Sequence, residues 1–276
     1  MKFSFSSNAF TNYSLIDSLK EIAQIGYEGA EIMCDIPHAY PPSLDSNKIS
    51  EIQNTLSQNN LQISNLNAFT LFALGDTYHP SWIETNQEKR QSRINHTIAC
   101  IELASTLGAK NISVEPGGPL KTSDNLTRLQ ALDLFKDAIE QVLPAAEKKK
   151  INVLVEPEPG LLLETSTEFL EFIKNFDSHF LKLNFDIGHF YCVNEDPSEL
   201  ILKLRDYIGH FHMADIKDRI HNHLIPGLGN IDFSRVFKSI QEISYGGFVT
   251  VELYPYKENP ADAATKSINF LRALKY

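Results

Sequence analysis

The chain has 276 residues, 42% of them hydrophobic, with a formal charge of -10 and a pI near 5.4. That length suits one large domain or two small ones with a sizeable core. The acidic balance argues against nucleic acid or an anionic membrane as partner, since neither polyanion gains counterion release from an acidic surface. No apolar run approaches a membrane span, and the opening MKFSFSSNAF lacks the continuous apolar stretch of a signal peptide. Cys34, Cys100 and Cys192 are far apart with no CxxC, so reduced thiols in a cytoplasmic protein are expected.

Read for period, the chain repeats one pair of elements. KFSFSSNAF alternates as a strand, and SLIDSLKEIAQIG follows at helical spacing and stops at Gly26. YEGAEIMCD is a strand, and SNKISEIQNTLSQNN a helix capped by Ser46 or Asn47. LQISNLNAF precedes a long polar segment, Thr70 to Ser92, and the helix RINHTIACIELASTLG. AKNISVEPGG is a strand before LTRLQALDLFKDAIEQVLPAAEKKK, and INVLVEPEPG one before STEFLEFIKNF. LKLNFDIGHF, HFHMADI and GFVTVELY complete the strands, each with its helix: PSELILKLRDYIG, DFSRVFKSIQEIS and PADAATKSINFLRALK. No hairpin signal separates consecutive strands, so pairing must be parallel through right-handed crossovers. Eight such units predict a closed (β/α)8 barrel, an α/β TIM barrel forming one domain over 1–276. A GxGxxG after the first strand, the mark of an open doubly wound sheet, is missing.

In such barrels chemistry sits where strands end. Glu156 ends INVLVE, Asp186 ends LKLNFD, His212 lies in HFHMAD and Glu252 ends FVTVE. The four belong to one rim on four successive strands. Three carboxylates buried together would repel, and a divalent cation removes the conflict. Mixed oxygen and nitrogen ligands suit manganese, magnesium, cobalt, zinc or iron alike. Glu115 and Glu158 also stand at strand ends, each as readily a cap or salt-bridge partner as a functional group. His210, one residue from His212 on the same face of its strand, reads as a wall residue. The segment from Thr70 to Ser92, with Phe69, Phe72, Tyr78 and Trp82, would cover the pocket with an aromatic wall. HLIPGLGNID would turn tightly over the rim, with His223 a substrate contact and Asp232 a helix cap.

YEGAEI, LVEPEP, NFDIGHF, HFHMADIKDR, IPGLGNIDF and VTVELY, in this order along nearly the whole chain, resemble the xylose isomerase-like TIM-barrel superfamily. The resemblance is to its sugar isomerase and epimerase branch, with ketose 3-epimerases, hydroxypyruvate isomerase and inosose isomerases and dehydratases. It implies metal ligands at Glu156, Asp186, His212 and Glu252, with Glu156 and Glu252 exchanging protons with substrate carbon. It also implies that His189 and Arg219 hold substrate oxygens, and Glu158 and His223 are further candidate substrate contacts. The expected function is a divalent-metal-dependent isomerase or epimerase of a ketose or related hydroxy-ketone, acting through an enediolate. The alternative is a dehydratase of an inosose or dehydroshikimate-like substrate. An abasic-site endonuclease is disfavoured, because NLNAF and SVEPGG carry none of the extra histidines that its additional zinc ions need. A non-catalytic barrel ranks below the enzyme because the ligand set is intact. The expected partner is a small carbohydrate-like molecule, and a homo-oligomer is compatible with the chain. Phosphate on that molecule is disfavoured, since LYPYKENP offers Lys257 alone.

Overall fold

A computed structural model describes residues 1–70, 72–120 and 126–274. Residue 71, inside the expected cover segment, and residue 275, at the end of the expected last helix, lie outside the described residues.

Eight parallel strands close into a barrel. They are β1 (Lys2–Ser6), β2 (Gly29–Met33), β3 (Gln62–Asn67), β4 (Asn111–Val114), β5 (Asn152–Val155), β6 (Leu181–Asp186), β7 (Ile208–Met213) and, after a short inserted hairpin, β10 (Phe248–Val251). The order around the barrel is sequential, and β1 closes on β10 with Phe3 opposite Val249 and Phe5 opposite Val251. The connecting helices are α1 (Leu15–Ile25), α2 (Ser46–Gln58), α3 (Gln87–Leu107), α4 (Arg128–Lys149), α5 (Ser166–Ile173), α7 (Pro197–Leu204), α8 (Phe233–Glu242) and α9 (Pro260–Ala273). An additional short helix, α6 (Ile187–Cys192), follows β6 directly.

Local chemistry sets these boundaries. Gly26 ends α1 at φ +101°, a left-handed conformation in which its amide reaches the Ala23 and Ile22 carbonyls. Thr127 and Gln130 cap α4 reciprocally. The cap of α2 is Asp45, one residue before the expected Ser46 or Asn47, because its carboxylate accepts from the Lys48 amide at 2.8 Å. Asp232 caps α8 as expected. Between barrel and helices lies the apolar layer, where Phe185 packs on Phe190 at 4.7 Å and on Phe211 at 5.3 Å. Burying each such ring is worth about 1.5–3 kcal/mol.

The barrel interior is polar. Thr250 accepts or donates to Ser4, to Ser64 at 3.2 Å and to His210 at 2.7 Å, while Asn65 donates to Ser113 and Glu31, both at 2.8 Å. His210 is therefore a wall residue, and burial beside His212 pushes its pKa down to about 3.

Several expected strands are cut short, among them KFSFSSNAF, which ends at Ser6 and continues as a 3-10 helix, Ser7–Phe10. LKLNFDIGHF stops at Asp186, whose side chain accepts the His189 amide at 2.7 Å and so starts α6. HFHMADI breaks at Ala214, and Asp215 opens an antiparallel hairpin of β8 (Asp215–Lys217) and β9 (Ile220–Leu224). Asp215 pins the following loop by accepting the amides of Gly227 and Gly229, both at 2.8 Å, and of Ile231 at 3.2 Å.

Candidate active site

Four strands deliver four side chains that could ligate a metal to the barrel axis. Glu156 follows β5, its amide held by the Val114 carbonyl at 3.1 Å. One of its carboxylate oxygens lies 2.9 Å from His212 Nδ1, and the other accepts from Asn184 Nδ2 at 2.7 Å. Glu252 follows β10, held through its amide by the Met213 carbonyl; its Oε1 accepts from Asn8 Nδ2 at 2.8 Å, and its Oε2 is 3.6 Å from His212 Nδ1. Asp186 spends Oδ1 on the α6 amide, which leaves Oδ2 buried without a partner. One ligand atom from each of Glu156, Asp186, His212 and Glu252 lies within 4.8 Å of the others.

The electrostatics of this cluster are unbalanced. Burial, with Asp186 and Glu31 adding repulsion, lifts Glu156 above the ordinary carboxylate range despite His212. The same forces, with Glu156 added, hold Glu252 well above it. Burial would depress His212, but Glu156, Glu31 and Glu252 together raise it well above an ordinary imidazole. Four buried carboxylates thus share one imidazole, and an unpartnered Asp186 oxygen faces the group. A divalent cation fits that donor set of oxygens and one nitrogen.

Glu31 is the residue that strand-end reasoning missed. It sits in the middle of β2, fully buried, and accepts from Ser6 Oγ at 2.7 Å and from Asn65. Its Oε2 is 2.5 Å from His212 Nε2. Burial would raise its pKa, but His212 and then His210 pull it to about 2, so Glu31 is an anion that holds a proton on Nε2 and turns Nδ1 toward Glu156 and Glu252. Only the barrel's register brings it opposite His212.

Above the cluster opens a cavity of about 290 Å³. Of the expected substrate contacts, Glu158, His189 and His223 line it together with Glu156 and Glu252. Glu158 is buried and receives a hydrogen bond from the Tyr78 hydroxyl at 3.3 Å; burial and the neighbouring Glu156 push its pKa up to about 8. Burial depresses the pKa of His189 and His221, and takes His223 to about 3, so these imidazoles are neutral at pH 7. Arg219 stands elsewhere. It occupies the turn of the β8–β9 hairpin, its guanidinium 4.3 Å above the Tyr191 ring and bonded to the Tyr191 carbonyl. Of the expected aromatic wall, Phe69 and Tyr78 line the cavity. Trp82 instead is fully buried against Phe135, and Phe72 is exposed. His221 also lines the cavity and had gone unnoticed; its signal is the alternation HNHL, which puts it on one strand face with His223.

Known proteins are similar to this chain in sequence and fold. An uncharacterized protein of Methanocaldococcus jannaschii is 28% identical over 269 residues, covering 91% of this chain and 83% of its own length. Hydroxypyruvate isomerase of Escherichia coli K12 is 27% identical, covering 91% and 93%. An inosose dehydratase of Clostridium botulinum is 23% identical, covering 92% and 88%. Among solved structures, a D-tagatose 3-epimerase-like protein superposes with a TM-score of 0.83 at 26% identity, covering 99% of this chain and 96% of its own. The sequence profile described as xylose isomerase-like TIM barrel matches residues 19–274. The chain belongs to the xylose isomerase-like TIM barrel family.

Proposed function

We propose that the protein is a divalent-metal-dependent isomerase or epimerase of a ketose or related hydroxy-ketone, with Glu156 and Glu252 as its two bases. The observation that carries this reading is the convergence of Glu156, Asp186, His212 and Glu252, of which Glu156 and Glu252 line the cavity, with Asp186 Oδ2 buried and unpartnered. These four would hold the cation. When bound, it polarises a hydroxyl and carbonyl pair and stabilises the enediolate charge.

The remaining work falls to the chain itself. Glu156 and Glu252 follow β5 and β10, which lie on either side of β7 around the barrel, and both approach His212 Nδ1, so one carboxylate can remove a proton from substrate carbon and the other return it to the opposite face or the next carbon. Asn184 and Asn8 each donate an amide hydrogen to one of these carboxylates and fix its orientation. A cation held there would favour the ionised form of both glutamates, the form that accepts a proton. Tyr78, Phe69 and Tyr254 line the cavity above and exclude water.

One observation favours a second reading, dehydration. Glu158 is held protonated near neutral pH and could give its proton to a leaving hydroxyl. An inosose dehydratase among the relatives supports the same chemistry.

The test is deuterium uptake from D2O into a panel of ketoses, inososes and hydroxypyruvate by metal-loaded protein. Exchange with at least one ketose or hydroxypyruvate, lost in Glu156→Gln and Glu252→Gln, is the expected result. No exchange anywhere on the panel, with enone formation from an inosose, would move the assignment to the dehydratase. Exchange that survives both glutamine variants would overturn the assigned bases.

A further inference from the structure

We propose that the opposite end of the barrel, where its strands begin, holds a binding site for a small organic dianion, a phosphate monoester or a dicarboxylate.

A cavity of about 600 Å³ opens there, larger than the one of about 290 Å³ above the carboxylates. Lys2, Gln62 and Phe248 bring β1, β3 and β10 to it, and Lys110 stands immediately before β4. The cavity also reaches the barrel interior, because Ser64 and His210, which are 5% and 1% exposed, belong to its lining. A dimple between surface loops would have no buried polar wall. None of the described residues lines both cavities, so this site does not rest on the proposed reaction.

The two ends of the barrel differ in charge. Glu156, Glu158 and Glu252 line the upper cavity with no lysine or arginine among the described residues, whereas the lower one has Lys2 and Lys110 and no acid among them. The chain holds 35 acidic residues against 25 basic ones, and other lysines find carboxylates, as Lys149 does with Glu102 and Lys266 with Asp262. Among the described residues neither Lys2 nor Lys110 meets one. Lys2 Nζ instead donates to Gln62 Oε1 at 3.0 Å and lies 5.4 Å from the centre of the Phe248 ring. β1 and β4 are three strands apart around the barrel, so the two ammonium groups approach the mouth from separate directions. Two cations without an internal counter-charge favour an anion with oxygens enough for both.

The rest of the lining selects the kind of anion. Gln62 spends its carbonyl oxygen on Lys2, which leaves its NH2 group to donate to a ligand oxygen. Leu56, Leu61 and Phe248 add apolar surface, where a carbon skeleton gains burial that inorganic phosphate cannot supply.

Calorimetric titration at constant ionic strength tests the site with glycerol 3-phosphate, succinate and inorganic phosphate as probes. At least one organic probe should bind once per chain with Kd below about 10 mM, and inorganic phosphate more weakly. Whichever organic probe is tighter names the head group. Lys110→Glu, at an exposed position, and Lys2→Glu should each weaken binding at least about tenfold, with Lys110→Gln in between. The amide resonances of Gly108 and Gly246, which line the cavity, should shift on binding. Excess chelator should leave the affinity unchanged, which separates this site from any metal held by the carboxylates. Failure of both organic probes to bind overturns the proposal. Binding that ignores the lysine variants or vanishes with chelator places the anion elsewhere and overturns it equally. Inorganic phosphate binding as tightly as the organic probes would reduce the site to a patch of positive charge and overturn the assigned ligand class.

Discussion

Glu115 and Glu156 are close to a matched pair. Each follows a strand in the tripeptide Val-Glu-Pro, the strands β4 and β5 pair with Val114 opposite Val155, and each glutamate is 1% exposed. They differ in what faces them. Arg93 Nε lies 3.2 Å from Glu115, and the same guanidinium donates to the Pro80 carbonyl and the Thr70 hydroxyl, both at 2.9 Å. Glu156 meets an imidazole and an amide, with Asp186 and Glu31 repelling it. Burial and sequence context do not separate a structural acid from a reactive one. The supply of neutralising charge does: Glu115 faces a guanidinium, whereas Glu156 shares the His212 imidazole with Glu31 and Glu252.

The comparison can be broken most severely at the unbalanced member. Glu156→Gln should lower turnover by at least about 10²–10⁴-fold. In the metal-free protein its unfolding midpoint should hold or rise, since a neutral amide no longer repels Asp186 and Glu31. Thermal melts in chelator beside the deuterium assay measure both, and a large loss of stability would put Glu156 in the structural class.

Arg93→Ala should do the opposite. It strands Glu115 in the core and should cost about 3–5 kcal/mol in urea unfolding. Adding Glu115→Gln should recover part of that loss, and no recovery would mean that Arg93 acts only through the Thr70 and Pro80 contacts.

His96 lies one turn beyond Arg93 on α3, buried and stacked on Tyr40. Burial and then the Arg93 charge push its pKa down to about 4. An unfolded histidine titrates near 6.5. Between these values the unfolded chain binds more protons, so stability is full above pH 6.5 and falls as pH drops toward 4, by about 3 kcal/mol for this group. Urea unfolding across that window should show a shallower fall in His96→Gln than in the wild type; parallel curves would remove His96 from the account.

The smallest effect belongs to an acid whose partner is exposed. Arg235 NH1 meets Asp196 at 3.0 Å with both side chains in solvent, so Arg235→Ala should change stability by less than about 1 kcal/mol. A larger loss in the same urea assay would show that exposure is a poor guide to pairing here.

The barrel and its rim were legible because both depend on local pattern. Apolar runs and helical periods mark the eight units, and a polar residue ending an apolar strand marks Glu156, Asp186, His212 and Glu252. The β8–β9 hairpin was not legible. Its two-residue turn is Asp218-Arg219, both at positive φ (55° and 59°), where Asn-Gly or Asp-Gly would have announced it. The family resemblance put Arg219 at the substrate, whereas the turn carries it over Tyr191. Glu31 was hidden for another reason. It is mid-strand, and nothing local says that barrel closure will set it against a histidine 181 positions away.

The hairpin also divides the rim into two separately built parts. β8 and β9 form a sheet of their own, hydrogen-bonded to each other and not to the barrel strands, and Asp215 anchors them through amides of the loop that follows. His221 and His223 therefore reach the cavity on a unit hydrogen-bonded separately from the barrel register. A change of hairpin length or sequence would therefore alter the imidazoles above the carboxylates without touching the strands that carry those carboxylates.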